Sequence, residues 1–334
     1  MHWHTWLRPE LPQVDPRRRG YFEGWYYKLV DADSRVALAL IPGVATGPGR
    51  RGGSASPEGH CFLQALSPQL ALRADVRFPM AQYSVSHRSL QVSVGPCVFR
   101  RDGLRVNLDD GHQIEGELRF TDVVPFPARG VLRGPMGPFG WLPGMECYHG
   151  IVNVRHRIVG ALRIDGMQID FTGGTGYVEK DWGRSFPSAW VWLQGNHFEH
   201  SAACFLFSAA IIPAATGSFL GFFALLMDGG QAHMLATYNS ARLRELRHDG
   251  NTVHALAQGR GGTLEVVAQC DAQGVLRAPK NGLMNRTIEE SITAVLQVRW
   301  RDTHGNVIFD GRSPHGGMEC CQTPDLLARL RPPT

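Results

Sequence analysis

The sequence predicts an all-β protein, and three observations carry that reading. Helical periodicity is nearly absent, short runs rich in Val, Ile, Phe, Tyr and Trp recur, and Gly, Pro, Asp and Asn stand between them. The runs fall at 21–30, 36–41, 105–108, 113–121, 150–156, 168–171, 190–198, 264–269 and 292–300. The punctuation is specific. Arg101-Asp102-Gly103, Asp109-Asp110-Gly111, Asp165-Gly166, Asp228-Gly229-Gly230 and His248-Asp249-Gly250 each put a glycine, tolerant of positive φ, where a tight hairpin needs one. Strands joined by such turns pair antiparallel, as a barrel or a sandwich. One short helix is predicted at the end of the chain. There Thr323-Pro324-Asp325 supplies a cap, a first-turn proline and an acidic residue ahead of Leu-Leu-Ala-Arg-Leu.

At 334 residues the chain has room for about two domains or one large β-rich one. Two halves are predicted, 1–124 and 144–334, joined by a Pro/Gly-rich connector at 125–143 that carries Phe126, Met136, Phe139 and Trp141. Residues 42–57 read as a Gly/Pro/Ser/Arg loop. Within them Gly47-Pro-Gly-Arg-Arg-Gly52 matches a nucleotide-loop pattern by letters alone, since no helical pattern follows. A hydrophobic content of 43% supports a real core and excludes disorder as a global description. The net charge of +4 is small and dispersed, which excludes a nucleic-acid surface. Seven cysteines, an odd number without any Cys-x-x-Cys, argue against a disulfide framework or structural zinc and for a reducing, cytoplasmic setting. Met1–Trp6 has no apolar secretory core. Residues 201–227 are uncharged and long enough to span a bilayer, but Pro213 and Thr216-Gly217-Ser218 break them into two buried strands and a turn.

Polar and aromatic residues concentrate in four segments. In Tyr21-Phe-Glu-Gly-Trp-Tyr-Tyr27 a strand puts Tyr21, Glu23, Trp25 and Tyr27 on one face. In Tyr177-Val-Glu-Lys-Asp-Trp-Gly183, Tyr177, Glu179 and Asp181 share one face while Val178, Lys180 and Trp182 take the other. In Trp190-Val-Trp-Leu-Gln-Gly-Asn196, Trp190, Trp192, Gln194 and Asn196 share a face. Met145-Glu-Cys-Tyr-His-Gly150 adds Glu146 and His149. Two carboxylates two residues apart in a dry site cannot both ionise cheaply, so one pKa rises, by as much as ~3–5 when fully buried. That leaves a proton donor near neutral pH. Tryptophan and tyrosine faces stabilise a nearby cation by ~0.5–2 kcal/mol per ring. An acid beside aromatics suits protonation of an alkene and trapping of the resulting cation. The same residues admit a structural reading: Glu179 paired with Lys180 or an arginine, Asp181 capping a turn, Glu23 in a buried ion pair, the tryptophans as core. No metal ligand set is predicted, since His197 and His200 lack a third partner. Ser185 lacks a nucleophile-elbow context.

At these residues the sequence resembles the tocopherol cyclase family. The resembling pieces are Phe22-Glu-Gly-Trp-Tyr-Tyr-Lys28, Glu179-Lys-Asp-Trp-Gly-Arg-Ser-Phe-Pro-Ser-Ala-Trp190, Trp192-Leu-Gln-Gly-Asn196 and, more weakly, Gly274-Val-Leu-Arg-Ala-Pro279. Asp181 stands where the plant enzymes typically carry Asn. The resemblance implies two lipocalin-like barrel or sandwich halves with a ligand near their junction. It also implies a reaction, closure of a chroman ring by adding a phenol across the trisubstituted double bond of a prenylated quinol. The carotenoid hydratases resemble the chain more distantly, with a Tyr-x-acid element at the place of Tyr177-Val-Glu179.

Together these give a cofactor-independent cyclase, an intramolecular lyase acting on a hydrophobic prenylated aromatic. Glu179 donates the proton, tuned by Asp181 and Tyr177. Trp182, Trp190 and Trp192 line the route of the cation, and His149 or Glu146 accepts the phenol proton. Glu23 and Gln194 position the headgroup, with Trp25, Tyr27 and Asn196 also contacting substrate. The lipid-soluble substrate implies peripheral contact with a membrane. The rival readings are a non-catalytic isoprenoid or quinone carrier and a hydratase that traps the cation with water.

Overall fold

The structure is a computed structural model that describes residues 8–48, 59–127, 134–214, 217–271 and 273–330. It is all-β. Twelve strands build a first antiparallel sheet: β1 (Phe22–Val30), β2 (Ala37–Ala45), β3 (His60–Ser67), β4 (Leu72–Pro79), β5 (Tyr83–Val85), β6 (Gln91–Val94), β7 (Cys97–Arg100), β8 (Gly103–Asp110), β9 (His112–Pro125), β10 (Cys147–Ile164), β11 (Met167–Asp170) and β12 (Thr175–Gly183). Ten build a second: β13 (Trp190–Gly195), β14 (Cys204–Ala214), β15 (Gly217–Asp228), β16 (Gln231–Ala236), β17 (Arg242–Asp249), β18 (Thr252–Gly259), β19 (Gly262–Gln269), β20 (Gly274–Lys280), β21 (Leu283–Arg301) and β22 (Val307–Cys321). The predicted terminal helix, α1, spans Thr323–Leu330. The Thr323 hydroxyl lies 2.7 Å from His248 Nδ1.

Four of the five Asp-Gly turns behave as their chemistry requires; the exception is Gly103, which starts β8 without positive φ. Asp165 and Gly166 both take positive φ between β10 and β11, as do Gly229 and Gly230 between β15 and β16. The uncharged stretch 201–227 forms β14 and β15, paired antiparallel from Cys204↔Met227 to Ala214↔Gly217. Among the described residues, no helix is long and apolar enough to cross a membrane.

The chain divides into two compact units, Met1–Phe186 with Val275–Thr287, and Pro187–Gly274 with Ile288–Thr334. This corrects the predicted boundary. The Pro/Gly-rich stretch at 125–143 is not a connector between halves, because it links β9 to β10, which are hydrogen-bonded neighbours in one sheet. Its described part includes a 3-10 segment over Gly134–Trp141. The predicted loop at 42–57 is also shorter than expected: Pro42–Ala45 continue β2 on β3, while 49–57 lie outside the described residues. Proline is tolerated there because the pairing of β2 with β1 is interrupted at Ile41 and Pro42, between Gly24↔Gly43 and Tyr27↔Leu40.

In the first unit the strand order is β4-β3-β2-β1-β12-β10-β9-β8-β7-β6-β5, and the sheet curls until β6 meets β2 and β3. Its interior is filled by alternate residues of each strand, among them Trp25, Tyr27, Leu38, Leu63, Phe99, Val106, Phe120 and Val178. Full burial of each large apolar side chain contributes ~1.5–3 kcal/mol. The second unit repeats the plan around Val191, Leu193, Phe205, Phe207, Val266, Leu296 and Trp300.

The central strands β1 and β12 pair in register from Phe22↔Gly183 to Val30↔Thr175. Directly paired residues point the same way, so the sheet acquires two chemically different faces here. Glu23, Trp25, Lys180 and Trp182 turn inward. Gly24, Tyr26, Tyr177, Glu179 and Asp181 turn outward, where β10 adds His149 opposite Asp181. Residues Val275–Thr287 return to this unit. There Gln64 Nε2 donates to the Arg277 carbonyl at 3.0 Å, and the Arg277 N–H donates to Gln64 Oε1 at 2.6 Å.

Candidate functional site

The inward face is closed. Lys180 Nζ lies 2.5 Å from Glu23 Oε1, and both side chains are fully buried. The ammonium also donates to the carbonyls of Pro9 (3.0 Å) and Leu11, and it sits over the rings of Trp25 and Trp182, 4.8 and 4.9 Å from their centroids. Glu23 accepts the backbone N–H groups of Gln13 (2.7 Å) and Val14 (3.3 Å). This assembly fastens the segment 9–14 to the sheet. A buried ion pair survives only when such extra hydrogen bonds satisfy both charges, and here they do.

That arrangement corrects several expectations. The cation held by the indoles is the lysine ammonium, so Trp25 and Trp182 are already occupied. Glu23 faces away from Glu179 and is a structural partner, as the alternative reading of the sequence had it. Tyr27 belongs to the core, with its ring 5.3 Å from that of Phe99 and its hydroxyl donating to the Arg100 carbonyl at 2.9 Å. Trp182 stacks on Tyr148 at 5.3 Å with the planes 8° apart.

The outward face gathers titratable groups. Tyr177 donates to Glu179 Oε2 at 2.5 Å. His149 lies with Nε2 3.6 Å from the same carboxylate oxygen and Nδ1 2.9 Å from Asp181 Oδ1. One imidazole therefore bridges two carboxylates. Exposure rises along the array, from 7% for the Glu179 side chain to 16% for His149 and 22% for Asp181. Burial disfavours a charged ring at His149. The negative charges of Asp181 and Glu179, with the hydrogen bond to Asp181, outweigh it and raise the pKa to about 9. A ring with that pKa is an imidazolium at neutral pH. His149, one of the two residues expected to accept the phenol proton, thus sits between both carboxylates. One donor atom from each of His149, Glu179 and Asp181 lies within 4.8 Å of the others, close enough to share a single ion or proton.

Glu146 stands apart from this cluster. Burial pushes its carboxyl pKa up, while Arg286 and Arg184 pull it down. Its carbonyl accepts the N–H groups of Arg184 (2.8 Å) and Ser185 (3.3 Å), which fixes the chain as it leaves β12.

Trp190, Trp192 and Gln194 lie on β13 in the second unit, on the face turned away from that unit's core; Asn196 is buried just past the strand's end. Trp190 Nε1 donates to Glu319 Oε2 at 2.7 Å, and Glu319 is directly opposite both Trp192 and Glu290. The fully buried Glu290 and its neighbour Glu319 were missed by the sequence reading. The available signal was an acid at 290 on the same strand face as Ile288 and Ile292. Tyr26 was missed as well; it is paired with Glu179, and its ring meets that of Tyr177 edge-on at 6.5 Å.

Residues 136–321, more than half of the chain, match the family model described as tocopherol cyclase-like. The chain belongs to that family. The match takes in β10, β12 and β13, hence every member of the outward array. No curated protein matches the chain in a sequence search. Among solved structures, a putative AttH from Nitrosomonas europaea is similar with a TM-score of 0.54 at 13% identity, covering 92% of this chain and 94% of that one. CghA is similar with a TM-score of 0.53 at 10% identity, covering 93% and 94%. CghA with Sch210972 gives 0.51 at 11% identity over the same shares. At such identities the likeness shows the fold, which these proteins share with this family member.

Proposed function

We propose that this member of the tocopherol cyclase-like family is an isomerase of the intramolecular-lyase type. Its substrate is a prenylated quinol, and its acid–base centre is the array Tyr177–Glu179–His149–Asp181. The observation that carries the reading is the imidazole of His149 bridging two carboxylates, with a proton to give and a second carboxylate to keep it charged. The His149 imidazolium passes its proton to Glu179, whose carboxyl Tyr177 holds in place. Glu179 delivers the proton to one alkene carbon, leaving a tertiary cation on the other. The phenol oxygen bonds to that carbon, and its proton returns through Asp181 to His149. One O–H and one C=C are consumed, one C–H and one C–O form, and the mass is unchanged. No cofactor enters this scheme. The second-unit residues Trp190, Trp192, Gln194 and Asn196 have no step in it.

The test is incubation with a geranylated trimethylhydroquinone, followed by chromatography and mass spectrometry. Cyclisation gives a new product of equal mass, and Glu179→Gln slows it by ~10²–10⁴-fold, the usual worth of a general acid. A product heavier by one water identifies a hydratase, and unaltered ligand after long incubation identifies a carrier. Either result overturns the cyclase reading.

A further inference from the structure

Strand β1 is buried almost throughout, yet Gly24, its third residue, is partly accessible between buried neighbours. A glycine inside a strand marks close approach by something else or a gap. Here the backbone conformation does not demand it, since Gly24 has no positive φ. Among the described residues, a β-carbon built on it would meet nothing nearer than the Pro42 carbonyl oxygen at 3.9 Å and the tip of the Phe62 ring at 4.0 Å. The gap is therefore a built feature of the outward face. Its floor is the Gly24 backbone. Phe22 and Tyr26 bound it along the strand, because residues two apart share a face. Across the sheet, Gly24 pairs with Asp181 on one side and Gly43 on the other. The Phe62 ring lies over Gly43 and forms the far wall. Aromatic contacts hold these walls: Phe22 meets Phe186 edge-on at 5.5 Å, and Tyr26 meets Tyr177 at 6.5 Å.

We propose that the notch over Gly24 is the seat of the substrate's aromatic ring, a substituted hydroquinone lying flat on the strand with one hydroxyl toward Asp181 and His149. The hydroquinone class comes from the function proposed above; three features fit the notch to a flat ring. A ring stacks on bare backbone at ordinary carbon contact distance, about 3.5–4.0 Å, which a side chain at this position would occupy. Phe22, Tyr26 and Phe62 offer apolar edges to its rim. Asp181, paired with Gly24, offers the ring hydroxyl a carboxylate at the margin. The assignment of that hydroxyl rests on the acid–base reading proposed above; the ring seat itself does not.

Trimethylhydroquinone, the bare ring without a prenyl chain, tests the seat by isothermal titration at neutral pH under reducing conditions. The wild type binds it. Gly24→Ala weakens binding by about tenfold, the effect of overpacking by one methyl group, and Gly24→Val removes measurable binding. Since the Cβ of alanine has room in the free protein, Gly24→Ala melts at or above the wild-type temperature, which separates a blocked seat from a damaged fold. With the geranylated substrate the same alanine raises KM and leaves the pH profile of kcat unchanged. Wild-type affinity in both Gly24 variants, or no binding of the ring by the wild type, overturns the seat. Glu179→Gln keeps full affinity for trimethylhydroquinone, so unchanged turnover in that variant removes the acid and leaves the seat standing.

Discussion

The two faces of the β1–β12 pair use the same kinds of residue to opposite ends. On the inward face Glu23 and Lys180 form a fully buried pair between two tryptophans, and backbone groups saturate both charges. On the outward face, one residue further along each strand, Glu179 and Asp181 share a single imidazole, and the array opens toward Asp181. A charge that is completely solvated by protein holds structure. A charge whose solvation is incomplete can move a proton. The acid and the base are alike; the number of other groups that engage them differs.

The largest effect that tests this contrast is on stability. Removing one partner of a buried pair costs ~3–5 kcal/mol, because the other charge stays behind. Glu23→Gln and Lys180→Met should each lower the urea midpoint by that order, and the double variant should recover much of the loss. Single variants as stable as the wild type would mean that the inward face is not the staple described. Next in size, Glu179→Gln should lose activity by ~10²–10⁴-fold while its melting temperature stays close to wild type. A large drop in stability there would make the outward face structural too.

Histidines on β10 sharpen the comparison, since His149 faces outward and His156 inward. His156 stacks on Phe120 with ring centroids 3.9 Å apart, and burial lowers its pKa to about 3. It is neutral in the folded protein, whereas the unfolded chain takes up a proton below ~6.5. Its contribution therefore destabilises increasingly as pH falls from 6.5 toward 3. His149 has the opposite sign. Its raised pKa gives stability that is complete below ~6.5 and is lost as pH rises toward 9. Urea melts across pH should show Asp181→Asn flattening the alkaline limb only. His156→Phe should flatten the acid limb only. Loss of both limbs in either variant would contradict the separation of faces. The smallest effect expected is that of Tyr177→Phe, about tenfold in turnover, in keeping with one hydrogen bond to a charged group.

Strand parity was legible from the sequence. The alternation in Tyr177-Val-Glu-Lys-Asp-Trp correctly separates Glu179 and Asp181 from Lys180 and Trp182, because the side-chain period of a strand is two. Turn positions were legible for the same local reason. The partners of each strand were not. Glu23 meets Lys180 and His149 meets Asp181 through pairings of strands far apart in the chain, and periodicity carries no information about which strand lies beside which. The role given to Trp182 fails for this reason: an indole near an acid in sequence need not be near it in space, and Trp182 lies on the far side of the sheet from Glu179. The unit boundary was misplaced because proline and glycine mark an irregular stretch without revealing that β9 and β10, on either side of it, are paired.

The protonation state of His149 tests the central claim most directly. Nitrogen-15 chemical shifts of its imidazole, followed from pH 5 to 11, should give a pKa near 9 in the wild type and a lower value in both Glu179→Gln and Asp181→Asn. A ring that titrates at or below its ordinary 6.5, or one indifferent to both substitutions, would contradict the account.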